Sequence, residues 1–140
     1  MMNYILKIST SDILKVISDD KAFALFKTIA SANDNNNKNS NTLRTKIKLT
    51  RRQHYSRMYS LVNVGLIKRK SGNYSLTSFG KVIYETQRIV EYTVNNYYWK
   101  LKAVDSAQLS KEISREEYTK LVDSLIDNQK IKEIIAAGSF

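Results

Sequence analysis

Residues 50–80 change backbone conformation twice, and this limits the folds open to the chain more than any other stretch. Thr50-Arg51-Arg52-Gln53 has the form of a capping box, in which the threonine oxygen accepts a first-turn N–H and the glutamine reaches back. The helix it opens is expected to run to about Val64 and to stop at Gly65, a residue that tolerates the left-handed conformation of helix ends. Leu66–Lys70 and Tyr74–Thr77 are short strand candidates, and Ser71-Gly72-Asn73 supplies the positive-φ residues of a tight hairpin. Ser78 then restarts a helix. The order predicts a mainly α chain carrying one small β-hairpin.

Apolar spacing extends the reading to both sides. Ser18, with Asp19 and Asp20 behind it, reads as the N-cap of a helix over about 19–32, whose Ala22, Leu25, Phe26 and Ile29 share a face. A shorter helix is expected around Ile13, Leu14, Val16 and Ile17. Asn33–Asn41 has no apolar residue and predicts a loop. Leu43 and Ile47 suit a short helix over about 42–47, with Leu49 in the next turn. On the helix from Thr50, His54, Tyr55, Met58, Leu61 and Val62 are expected to face the core. Arg52, Gln53, Ser56, Ser60 and Asn63 face away, flanked by Arg57 and Tyr59.

Downstream, Ile83, Val90, Val94, Tyr97, Leu101 and Val104 largely follow a 3/4 spacing and predict a long helix over about 79–104. Gln87, Asn95 and Asn96 argue against a uniform coiled coil along it. Ser114-Arg115-Glu116-Glu117 is a second capping box, opening a helix with Tyr118, Leu121, Val122, Leu125 and Ile126 on one face. Ile131, Ile134 and Ile135 suit a final short helix ending at Gly138.

Composition bears mainly on function. At 140 residues and 42% hydrophobic, the chain suits one packed domain, or one domain with an appendage. Without cysteine there is neither a disulfide framework nor a thiolate metal site. No stretch is long enough to span a bilayer and the first residues do not form a secretory signal, so a soluble, cytoplasmic protein is expected. The net charge of +10 is unevenly spread. Residues 35–84 hold eleven basic side chains, from Lys38 to Lys81, and no acid; all other residues together hold 12 basic and 13 acidic groups. Solvated faces normally mix both signs, so an acid-free run of this length points to a polyanionic partner.

Nothing in the sequence is equipped for catalysis. His54 is the only histidine, and no metal-ligand cluster or glycine-rich phosphate loop accompanies it, so no enzyme activity, cofactor or metal is expected. Its place on the core-facing side favours a packed ring. The outward residues of the same helix are arginine, glutamine, serine and asparagine, the types that hydrogen-bond to base edges.

At these residues the chain resembles a known family. Ser56-Arg57-Met58, Leu61 and Gly65-Leu66-Ile67, followed by Tyr74, Leu76, Thr77 and Gly80, are similar to archaeal winged helix-turn-helix DNA-binding proteins, of the kind of the MarR- and ArsR-like transcriptional regulators. The pattern covers about 42–85. The resemblance implies a winged-helix domain over 1–85, with its helix-turn-helix at about 42–64 and its wing at about 66–77, and C-terminal helices over 79–140. It implies sequence-specific binding of double-stranded DNA, with Arg52, Gln53, Ser56, Arg57 and Ser60 nearest base edges. Arg44, Lys46, Lys48 and Arg51, with Lys68, Arg69 and Lys70 of the wing, would hold phosphates. It also implies a homodimer, for which Val90, Val94, Tyr97, Tyr98, Leu101 and Val104 are the expected contact. The aromatic group Tyr92, Tyr97, Tyr98 and Trp99 is read as helix packing or part of that contact. No effector is indicated. Two other readings stay open: a winged-helix module docking an acidic protein, and a non-specific, chromatin-like DNA binder.

Overall fold

The computed structural model describes residues 7–31 and 39–137. Most of the expected asparagine-rich loop, Lys38 within it, and the stop at Gly138 lie outside the described residues. The chain divides into two compact units, residues 1–86 and 87–140. The first holds α1 (Thr10–Ser18), α2 (Asp20–Ser31), α3 (Ser40–Ile47), α4 (Arg51–Asn63), β1 (Ile67–Lys70), β2 (Asn73–Leu76) and the start of α5 (Ser78–Tyr92). A π-helical turn (Thr93–Tyr97), α6 (Tyr98–Leu109), α7 (Arg115–Leu125) and α8 (Gln129–Ala136) follow. Among the described residues the fold is thus mainly helical with one two-stranded antiparallel sheet.

Side-chain caps start most of the helices, two of them, Thr50 and Ser114, at the predicted positions. The Thr50 hydroxyl accepts from Gln53 N–H at 3.2 Å, and Gln53 Oε1 accepts from Thr50 N–H at 3.1 Å, completing the expected box. Ser9 and Asp12 make a similar box before α1, with distances of 3.1 and 2.9 Å. Ser114 supplies the hydroxyl-to-backbone half of its box, accepting from Glu117 N–H at 3.1 Å. Ser18 does not cap α2. It is the last residue of α1 and donates to Lys15 O at 2.9 Å, while Asp19 Oδ2 accepts from Ala22 N–H at 2.8 Å. One residue, Asp19, both terminates α1 through its backbone N–H and starts α2 through its carboxylate.

After α4 the chain turns at Gly65, φ +80°, and Leu66 N–H returns to Leu61 O at 3.0 Å. The hairpin pairs Ile67 with Leu76 and Lys70 with Asn73. Asn73 therefore belongs to β2, and the turn consists of Ser71 and Gly72 alone, at φ +53° and +81°. Positive φ at both central residues is the turn geometry whose twist matches the strands. Asn39 forms an isolated antiparallel bridge to Asn73 and also caps α3, accepting from Thr42 N–H at 2.8 Å.

Thr77 joins the hairpin to the next helix. Its N–H donates to Leu66 O at 3.1 Å, its hydroxyl lies against the Gly65 and Leu66 carbonyls, and the same oxygen accepts from Gly80 N–H at 2.8 Å. Gly80 is buried there, directly over the Leu66 carbonyl. Beneath these elements Leu25, Phe26, Ile29, Leu43, Leu61, Leu66 and Ile67 are almost entirely buried, with Ile13, Ile17, Leu49, Met58, Val64 and Tyr74 around them. Ile83 and Tyr84 of α5 pack on this core, the Tyr84 ring edge-on to Phe26.

The second unit has its own core of Tyr97, Val104, Tyr118, Val122, Ile126 and Ile131. The predicted helix over 79–104 is interrupted by the π turn and extends to Leu109. Thr93 Oγ1 donates to Ile89 O at 2.7 Å and Asn96 Nδ2 to Tyr92 O at 3.1 Å, so polar side chains bond the carbonyls around the turn. A π turn advances the facing of every later residue, and this divides the single apolar stripe expected from the spacing. Val90 and Val94 stand exposed, whereas Tyr97, Leu101 and Val104 turn inward with Ile89. The buried Tyr97 hydroxyl donates to Asp127. That bond holds the Asp127 carboxyl below its ordinary range and, with burial and the neighbouring Tyr92, pushes Tyr97 up to about 12.

Candidate nucleic-acid interface

The basic residues expected to meet DNA lie on or beside three consecutive elements, α3, α4 and β1, whose inner sides are fixed by the core. Leu43 anchors α3 and Leu49 the turn after it, where Lys48 takes the left-handed conformation at φ +59°. Lys46, Lys48, Arg51 and Arg52 are exposed and Arg44 is half-buried. On α4 the inward residues are His54, Met58 and Leu61, at i, i+4 and i+7. Tyr55 and Val62, expected inside, are exposed instead, because the inward stripe is narrower than the sequence pattern suggested. Opposite the core stripe, Arg52, Ser56, Tyr59 and Asn63 are all exposed and share a face at i, i+4, i+7 and i+11.

The expected base-reading residues do not form one uniform group. Arg52 and Ser56 are exposed on the outward face. Gln53 is half-buried with its oxygen engaged in the cap, which leaves its amide nitrogen to donate elsewhere. The Ser60 hydroxyl donates to Ser56 O at 3.1 Å. Arg57 turns sideways and grips Asp19, Nε to Oδ2 at 3.2 Å. Ser56, Arg57 and Ser60 here border a cleft of about 320 Å³, with Lys15, Val16, Asp19 and Ala22 opposite. Tyr59, 71% exposed, was assigned only a flank by its spacing; the narrow core stripe puts it on the outward face.

In the hairpin, strand alternation separates the basic side chains. Ile67 and Arg69 share a sheet face with Leu76 and Tyr74, and the Arg69 guanidinium lies 5.8 Å from the Tyr74 ring centre. Lys68 and Lys70 point to the other face with Ser75 and Asn73. All three basic residues are exposed.

His54 has no exposed surface, and neither ring nitrogen finds a hydrogen-bond partner among the described residues. Burial, and secondarily the charge of Arg44, push its pKa below the ordinary 6.5, so the ring is neutral at pH 7. It packs edge-on to Tyr55, 5.4 Å between ring centres. Among the described residues no group of three or more His, Cys, Asp or Glu side chains could hold a metal ion, and no helix is long and apolar enough to cross a membrane.

The expected dimer residues divide in the same manner as the helix that carries them. Val90, Val94 and Tyr98 are exposed, and Trp99 beside Tyr98 is 75% exposed under the Lys102 ammonium. Tyr97, Leu101 and Val104 are used by the core of their own unit and have little surface to offer a second copy. Compared with protein-family models, with curated proteins and with solved structures, the chain matches none.

Proposed function

We propose that the protein is a sequence-specific double-stranded-DNA-binding regulator of the winged helix-turn-helix type. In this reading α3 and α4 are the helix-turn-helix, α4 enters the major groove by its N-terminal half, and β1–β2 is a wing on the backbone or adjacent minor groove. The observation that carries it is the acid-free basic run. Lys46, Lys48, Arg51, Arg52, Lys68, Arg69 and Lys70 are exposed on these elements, and residues 39–77 contain no carboxylate side chain to compete with phosphate for them. Arg52 and Ser56 stand as base-edge readers, with the Gln53 amide beside them, and the lysines position the duplex.

Titration of selected and random duplexes across salt tests this. With about six phosphate contacts, log K is expected to fall by roughly five for each tenfold rise in salt. Arg52→Ala should lose about 1–3 kcal/mol on the selected duplex and little on random DNA, whereas Lys70→Ala should weaken both alike and flatten the salt slope by about one. Equal effects of the two substitutions on both duplexes would sink the assignment.

One observation favours a second reading, a module that docks an acidic protein. Tyr55, Tyr59 and Val62 form an exposed apolar strip along the outward flank of α4. Tyr59→Ala added to the same titrations separates the two: a DNA-reading helix loses affinity for duplex, and a protein-docking helix keeps it.

The DNA-binding reading carries a homodimer with it, and Val90, Val94 and Tyr98 are the expected contact residues that retain surface for it. Light scattering on the eluting protein is expected to give twice the 16.1 kDa chain mass; a single-chain mass at high concentration rejects the dimer.

A further inference from the structure

Asp19 and Arg57 are 38 residues apart in sequence and meet at the side of the outward face of α4. Arg57 Nε donates to Oδ2 at 3.2 Å and a terminal guanidinium nitrogen to Oδ1 at 3.4 Å. A guanidinium presents the same fork to a phosphate. The carboxylate is not free to swing away: Oδ2 also accepts from Ala22 N–H at 2.8 Å, and the Asp19 backbone N–H closes α1 on Val16 O. Arg57 therefore reaches for an acceptor that the α1–α2 junction holds in place. With side chains 29% and 39% exposed, the pair borders the open cleft beside Ser56 and Ser60, where a polyanion can approach.

We propose that Asp19 is a specificity-determining residue of the DNA-facing surface: by occupying the fork of Arg57 it withdraws that arginine from duplex phosphates. The inference rests on the DNA-binding reading above. A free arginine at this position grips any phosphate regardless of sequence, raising affinity for all DNA and narrowing the ratio between the selected site and the rest. With Arg57 held, discrimination falls to Arg52, Gln53 and Ser56. Asp19 thus acts through Arg57 and touches no base itself.

Asp19→Ser and Asp19→Asn keep an oxygen for the Ala22 N–H and remove the carboxylate. Both are expected to bind random duplex about fivefold tighter than the parent, with a salt slope steeper by about 0.9 and a smaller selected-to-random ratio. In an Arg57→Ala background the same Asp19 substitutions should no longer steepen the slope. If Asp19 acted only as a negative charge near DNA, they would tighten random duplex about equally with or without Arg57, and that result overturns the proposal. So does an unchanged slope in Asp19 variants that melt like the parent, even while Arg52→Ala still discriminates between duplexes and the DNA-binding reading stands. If the parent binds no duplex at any salt, both readings fall together. An arginine side-chain NMR spectrum adds a test independent of DNA. The Arg57 Nε–H should exchange slowly in the parent and lose that protection in Asp19→Asn; equal exchange in the two overturns the proposal.

Discussion

Gly80→Ala is expected to destabilise the first unit by about 3 kcal/mol or more, although alanine is the better helix former by about 1 kcal/mol. A methyl group on Gly80 would lie 2.0 Å from the Leu66 carbonyl oxygen, 2.9 Å from its carbon and 3.2 Å from Thr77 Oγ1. The first two are backbone atoms, so no rotamer change relieves the overlap. The Leu66 oxygen is also held in place, accepting from Thr77 N–H at 3.1 Å, and Thr77 in turn caps α5 through Gly80 N–H. Relief requires α5 to move away from the hairpin, breaking hydrogen bonds worth about 0.5–1.5 kcal/mol each and opening the packing of Ile83 and Tyr84 on the core. The overlap outweighs the propensity gain. Urea unfolding of the two proteins measures the difference, and an alanine variant as stable as the parent contradicts the close approach at this joint.

The second large effect concerns His54 and pH. The buried ring is held neutral, whereas the unfolded chain takes up a proton as pH falls through 6.5. Its pKa is lowered in the folded state, so below 6.5 the unfolded state binds more protons and stability is lost as pH falls. The limiting slope is about 1.4 kcal/mol per pH unit. Asp12, Asp19 and Asp127 are likewise held below their ordinary 3.8, by Ser9, Arg57 and Tyr97 respectively, but their contribution is lost only around and below that value. Between pH 6.5 and 4.5 the loss therefore belongs mainly to the histidine. His54→Met, which fills the site without unsatisfied nitrogens, is expected to be at least as stable at pH 7.5 and to lack the slope. Denaturant midpoints at pH 7.5 and 5.5 decide the matter. A flat profile in the parent, or the same slope in the methionine variant, rules out a buried neutral ring as the cause.

How much of this was legible beforehand depends on how far each signal lies from its partner. Thr50 and Gln53 are three residues apart, so a capping box can be read directly. The same holds for Gly65 as a stop and for Gly72 in the turn, since glycine takes positive φ freely; that Ser71 shares the positive φ and Asn73 belongs to β2 was set by the pairing of the strands. At Ser18 neighbouring helices compete: α1 uses the serine in its own last turn and leaves Asp19 to start α2, so a cap read from spacing alone falls one residue early. Tyr55 and Val62 stand outside the core because periodicity gives the direction of a face but not how many of its residues the adjoining helices cover. The π turn was signalled only indirectly, by Thr93, Asn95 and Asn96 in an apolar-spaced helix, and it separated Val90 and Val94 from Tyr97, Leu101 and Val104.

The sequence by itself determined the helix starts at Thr50 and Ser114, the hairpin turn, the inward placing of His54 and the concentration of basic charge in one acid-free segment. The caps and the glycine of the turn depend on residue chemistry or on partners within one helical turn, the charge is composition, and the direction of His54 follows from the helical spacing of Met58 and Leu61. Only the tertiary structure decided that Arg57 is gripped by Asp19, that Tyr97 bonds Asp127 thirty residues away, and that Gly80 lies against the Leu66 carbonyl. Those contacts exist because separate apolar stripes are buried together, and burial brings into register polar groups whose spacing along the chain carries no trace of the meeting.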